Sequence, residues 1–125
     1  MSSESTEMSK EIIEKLFDAV HRNDVQAYVK CFTEDAEYKI ANFPPVYGRK
    51  DIEAFGARIT PMFEQVLHEV KNTWQVGNAF VSELDVAYHR KDGQVVKVPC
   101  LDVIRIENGL VKSLHAYIDA TPAFM

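Results

Sequence analysis

This 125-residue sequence has few cysteines, no cluster of basic residues and no long apolar run. Cys31 and Cys100 are its only cysteines, far apart, one in a helical stretch and one in an extended stretch. Both read as reduced core residues rather than a disulfide framework, and no metal-ligand spacing is present. Lys and Arg number 14 against 19 Asp and Glu, for a net charge of −5. A nucleic-acid partner needs a basic face, and none is available. No apolar run approaches the roughly 20 residues of a membrane span. The first ten residues, MSSESTEMSK, carry no apolar signal-peptide core, so a cytoplasmic protein with no membrane partner is expected.

The length fits one domain with a self-sufficient core, and an apolar share of 46% with 26% charged residues is ordinary for a globular chain. Residues 1 to 8 are polar and read as a disordered tail, leaving 9 to 125 as the domain. Its most informative stretch is LDVAYHRKDGQVVKVPCLDVIRIENGLVKSLHAYID, from Leu84 to Asp119. Side chains alternate along a strand, so Leu84, Val86 and Tyr88 share a face, as do Val96, Val98, Cys100, Asp102, Ile104 and Ile106. Asp92-Gly93 and Asn108-Gly109 separate the runs as type I′ hairpin turns, which makes an antiparallel meander. Asp102 is the anomaly, a carboxylate on the core face, where an unpartnered charge is costly.

Ahead of the meander, Ile12, Ile13, Leu16, Phe17 and Val20 recur at helical spacing and predict a helix over 9–22. Asp24 then caps a second helix with a stripe of Val25, Tyr28, Val29 and Phe32. Residues 36–40 look extended, with Tyr38 and Ile40 pointing the same way. The loop ANFPPVYG follows, and a third helix is expected at about 50–58. Thr60-Pro61 restarts a helical turn that Met62, Phe63 and Val66 continue. His68 falls at its C-terminus, where the helix dipole favours it. Val70, Trp74 and Val76 then share one strand face with Asn72, and Gly77-Asn78 turns into the next strand. Helices segregated from a long antiparallel sheet make an α+β fold.

This order resembles the cone-shaped fold of the nuclear transport factor 2-like (NTF2-like) superfamily, in particular ketosteroid isomerases and SnoaL-like polyketide cyclases. NDVQAYVKCFTEDAEY, GRKDIEAF and CLDVIRIENGLVKSLHAYID carry the resemblance across nearly the whole chain. It implies N-terminal helices packed on a curved meander and no cofactor. It places Asp102, within LDVIRI, where ketosteroid isomerases hold an oxyanion-stabilising Asp. Their general-base Asp corresponds to Ile40, and their oxyanion Tyr to Leu16. The acidic residue of the cyclases' last strand corresponds to Ala116, ahead of the ending Tyr117-Ile118-Asp119.

The expected catalytic residues are therefore Asp102, as a neutral hydrogen-bond donor of raised pKa, and Tyr38, facing the same cavity. Ile40, Phe43, Trp74, Tyr88, Val98, Cys100, Leu114, Ala116 and Ile118 are expected to line a ligand site. His115 and Tyr117 fall on the outer sheet face with Val95, Leu101, Val103 and Val111, an apolar surface that suits a homodimer interface. The resulting expectation is a cofactor-independent enzyme moving a proton on a hydrophobic, carbonyl-bearing small molecule by isomerisation, cyclisation or dehydration. The alternatives are a non-catalytic binding module and a protein-interaction subunit built on the outer face.

Overall fold

The computed structural model describes residues 3–125, with side chains from Lys10 onward. Helix α1 spans Ser3–His21, starting six residues ahead of the expected position 9. Residues 1 and 2 of the expected tail lie outside the described residues. Helix α2 spans Val25–Lys30, and Asp24 caps it by accepting from the Ala27 amide at 3.0 Å. Strand β1 runs Phe32–Ile40, so Phe32 opens a strand instead of closing the stripe of α2, and the extended stretch begins ahead of the expected position 36. Two residues, Val46–Tyr47, form β2 against β1, and α3 covers Gly48–Ile59. Gly48 has φ +86°, and a Cβ there would meet the Glu34 carbonyl at 3.0 Å, so this chain reversal needs glycine.

Thr60–Met62 is a single 3-10 turn with Pro61 near its start, and β3 then begins at once, spanning Phe63–Val76. The helical continuation expected through Val66 is absent. Met62, Phe63 and Val66 suit helical spacing, but the strand register pairs Val66 with Tyr88 and His68 with Val86. Long-range pairing overrides a three-residue pattern. Strands β4 (Ala79–Arg90), β5 (Val95–Glu107) and β6 (Leu110–Ile118) complete the meander, and a 3-10 turn over Thr121–Phe124 follows. Asn108 and Gly109 both have positive φ, as a type I′ turn requires. At Asp92-Gly93 only the glycine does; the loop is wider, with Arg90 N–H bonded to the Gln94 carbonyl.

The six strands form one sheet in the order β2-β1-β6-β5-β4-β3. Every pairing is antiparallel except β1 with β6. Three helices close over one face. Leu16 of α1, Val29 of α2 and Ile52 of α3 are buried there with Leu84, Ile104 and Leu114 from the sheet. Among the described residues, no helix is long and apolar enough to cross a membrane.

Two bulges reassign side chains. Val70 pairs with Leu84 but Asn72 pairs with Glu83, so Lys71 is an extra residue in β3. One extra residue reverses facing for everything beyond it. Val70 therefore looks inward, whereas Asn72, Trp74 and Val76 look outward. A second irregularity, where Ile106 pairs with Val111, turns Val111 into the core, fully buried, instead of onto the outer face.

Candidate functional site

The helices do not fill the concave face of the sheet. They leave a cavity of about 250 Å³ between α1, α2, α3 and the inner sides of β1 and β3 to β6. Cross-strand register fixes its floor. Ile40, Ala116, Asp102 and Ser82 make one row across β1, β6, β5 and β4, and Tyr38, Leu114 and Ile104 make the next. Alternation along β5 thus places Asp102 where the sequence pattern put it, 6% exposed in an apolar wall.

The carboxyl has little to compensate its burial. Among the described residues its one hydrogen-bond donor is the Cys100 thiol, at 3.3 Å from Oδ1; no backbone amide reaches it. Burial raises its pKa to about 6, and the thiol contact lowers it only in part. At neutral pH the group is consequently mostly ionised, not the standing neutral donor expected from the sequence, and it sits within reach of either form. The thiol beside it is pushed well up by burial and then by the Asp102 charge, so Cys100 is no nucleophile.

Tyrosines supply the donors. The hydroxyls of Tyr28 and Tyr38 lie 2.8 Å apart, Tyr28 presented by the short capped α2 and Tyr38 by β1. Burial moves Tyr38 up to about 12 and Tyr28 well above 10, with the Asp102 charge adding to both. Tyr88, on β4, is likewise raised to about 12 by burial, then by Cys100 and Asp102. All three keep their protons across the physiological range. Tyr38 is held edge-on between Phe32 (5.6 Å) and Phe55 (5.7 Å), which fixes its ring.

Six of the nine expected wall residues are in the cavity wall. Ile40, Tyr88, Cys100, Leu114, Ala116 and Ile118 line the cavity with Asp102 and Tyr38. Val98 is buried in the core behind the lining. Phe43 lies in the loop after β1, 41% exposed, with its ring against Phe55 at 5.6 Å on the outside. Trp74 is on the opposite face of the sheet, paired with Val81 and half exposed, because of the Lys71 bulge.

Two lining residues were not singled out from the sequence. Tyr28 read as one member of a helical stripe; the usable signal was a second tyrosine whose hydroxyl would need a partner once buried. His68 read as a helix end. It stands in mid-strand on the inner face of β3, beside Val86, and lines the same cavity. Its Nδ1 is buried with no hydrogen-bond partner among the described residues. Burial, and secondarily His21, pushes its pKa down to about 4, so the ring is neutral at pH 7. His21 on α1 donates from Nε2 to the His68 carbonyl at 2.8 Å.

The remaining charge at the cavity is acidic. Asp24, Glu53 and Glu64 lie at its edge, and no Lys or Arg is among its lining residues. His115 and Tyr117 are on the outer face as expected, His115 donating to Glu37 at 2.6 Å.

A helical lid on a curved meander with a buried acid in its hollow defines the NTF2-like cone. The SnoaL-like domain family model matches residues 13–114, and the chain belongs to that family. Solved structures agree on the fold. An NTF2-like protein of unknown function from Burkholderia pseudomallei superimposes with a TM-score of 0.87 at 14% identity, over 99% of this chain and 96% of that one. A protein from Jannaschia sp. described as a SnoaL-like polyketide cyclase gives 0.83 at 18% identity, covering 94% and 89%. A protein of ketosteroid isomerase-like fold from Catenulispora acidiphila gives 0.79 at 23% identity, covering 86% and 84%.

Proposed function

We propose that the protein is an enzyme that moves a proton on an uncharged, hydrophobic, carbonyl-bearing small molecule. The supporting observation is Asp102: a carboxyl group buried in an apolar cavity, held by one weak sulfur donor, with a pKa of about 6. A proton-transfer group works best with its pKa near the working pH. The Asp102 carboxylate takes a proton from the carbon beside the carbonyl. The C–H electron pair becomes the enolate double bond, and the carbonyl pair moves onto oxygen. Tyr38 donates a hydrogen bond to that oxygen, with Tyr28 supporting its hydroxyl. Return of the proton to a different carbon completes an isomerisation; in a dehydration the enolate pair re-forms the carbonyl, the neighbouring C–O bond breaks, and the hydroxyl takes the Asp102 proton and leaves as water. Neither outcome requires a redox change. The acidic edge and the absence of Lys or Arg from the lining disfavour anionic ligands.

Solvent deuterium uptake into 2-tetralone, followed by NMR, tests this reading. Wild-type protein should accelerate exchange, and Asp102→Asn should lower the rate by about 10²- to 10⁴-fold. Full exchange by Asp102→Asn removes the acid from the mechanism. A specific observation favours a second reading, a binding module: Ile40 and Ala116, beside Asp102 in its row, offer no second ionisable group. Tight binding without exchange by the wild type would decide for it.

The same reading includes assembly with a second copy through the outer sheet face. Trp74, Leu101 and Tyr117 are exposed there at 50%, 38% and 61%, an apolar surface on the side of the sheet away from the cavity. A stable dimer buries about 800 Å² per partner, which a sheet face of this size can provide. Sedimentation at micromolar concentration should give a dimer, and Leu101→Glu a monomer. A wild-type monomer there would contradict the assembly and leave the cavity chemistry untouched.

A further inference from the structure

Of the ionisable cavity residues that the proposed chemistry leaves unused, His68 alone among the described residues has a buried side-chain atom without a partner, its Nδ1. Buried polar atoms in proteins are almost always bonded, so each exception needs a reason. His68 and Asp102 face one hollow from different strands. His68 shares a row with Val86 and Val98, and Asp102 lies four positions beyond Val98 on β5. With strands about 4.8 Å apart and about 3.4 Å per residue, the two are roughly 16 Å apart along the sheet.

That separation decides between two roles. A base acting on the carbon beside a carbonyl must sit within hydrogen-bond reach of that carbon while the donor holds the oxygen. His68 stands farther along the sheet from Asp102 than Tyr38 does, and the Asp102 charge acts on Tyr38 but not on His68, so the imidazole meets a different part of a ligand than the reacting carbonyl. Side chains reaching into a concave hollow stand closer than their backbones, and a ligand of about two rings would span them. The cavity volume agrees, because an apolar cavity of about 150 Å³ accommodates benzene and this one is larger, at about 250 Å³.

We infer that the cavity recognises a two-headed ligand: a carbonyl or enol oxygen at Asp102 and Tyr38, and a hydroxyl at the far end whose proton is accepted by His68. This rests on the proposed function and adds the substrate class, a rigid bicyclic molecule with polar atoms at both ends. The neutral imidazole suits the task, since no acceptor in the described protein holds its Nδ1 in a fixed tautomer. His21 is a positioning residue. Its bond to the His68 carbonyl ties α1 to the strand that carries the ring.

Two probes test the assignment, 2-naphthol with one oxygen and 2,6-dihydroxynaphthalene with two. The diol should bind wild-type protein about five- to tenfold more tightly than the naphthol, the worth of one hydrogen bond. His68→Phe, which keeps an aromatic ring but removes the acceptor, should abolish that preference, and Asp102→Asn should weaken both probes alike. In ¹⁵N-labelled wild-type protein, the His68 ring nitrogens should shift on saturation with the diol and stay in place with the naphthol, a readout that needs no variant. An equal preference in His68→Phe, or ring resonances indifferent to the diol, overturns the two-headed ligand and leaves the Asp102 chemistry standing. Failure of both probes to bind at millimolar concentration overturns this inference together with the ligand cavity it depends on.

Discussion

The two ends of the cavity are built differently. The Asp102 end rests on β5, β6 and β1, strands with neighbours on both sides. Its tyrosines bond each other and sit in a run of edge-on aromatic contacts from Phe32 through Tyr38 to Phe55. The His68 end is carried by β3, an edge strand of the sheet, and tied down by α1 through His21. Chemistry tolerates little misplacement of reacting groups, so it belongs on the braced end. Reading a ligand's far end tolerates more, and an edge strand is where a wall can adapt.

Titration gives the sharpest way to break this comparison, because burial moves the two groups in opposite directions. Asp102 rises from 3.8 to about 6 in the folded protein, so the native state holds more protons than the unfolded one between about pH 4 and 6. Stability from this group grows as pH falls through that window, by on the order of 3 kcal/mol. His68 drops from 6.5 to about 4, so the unfolded state holds more protons there. Its contribution is lost as pH falls from about 6.5 to 4, again on the order of 3 kcal/mol. The two contributions should therefore nearly cancel in the wild type over this range. Urea unfolding of Asp102→Asn should show a steep loss on acidification, and His68→Gln a gain. Flat curves for both variants would mean that neither group is buried in solution as it is here.

A smaller effect should come from Tyr28→Phe. Removing one hydroxyl of the 2.8 Å pair leaves Tyr38 without its partner, at about 1 kcal/mol of stability. Deuterium exchange should slow by about tenfold through the rate rather than through ketone affinity, since Tyr28 acts through Tyr38. Equal slowing and loss of affinity would place Tyr28 directly against the ligand. Smallest is Cys100→Ala. The thiol contact lowers the Asp102 pKa, so its loss should raise that pKa above about 6, seen by carboxyl ¹³C titration as a small upward displacement of the midpoint. A fall would mean that another donor takes over.

Much of this arrangement could be read from residues alone, and the failures share a cause. Alternation along β5 located Asp102 because thirteen strand residues, Val95–Glu107, keep period two almost throughout. Trp74 and Val111 went to the wrong faces because a bulge is a property of the pair of strands and leaves no mark in either one. His68 was misplaced because Met62, Phe63 and Val66 satisfy helical and extended spacing alike, and only pairing with β4 decides between them. Tyr28 was legible as a buried residue but not as a donor, since its partner lies on another element. The outline of the cone and one end of its hollow were local information; the other end was not.

The extra residue at Lys71 gives this architecture an unusual tolerance. Delete it, and Val70 and Asn72 become chain neighbours whose partners, Leu84 and Glu83, are already consecutive, so the ladder turns regular and Trp74 stays on the outer face with Thr73 and Gln75 on the inner one. The same loss in a regular strand such as β5 would turn over every side chain beyond it. A single lost codon at this point should therefore spare both pocket shape and subunit association, and relatives of this protein should vary in length here more freely than elsewhere in the meander.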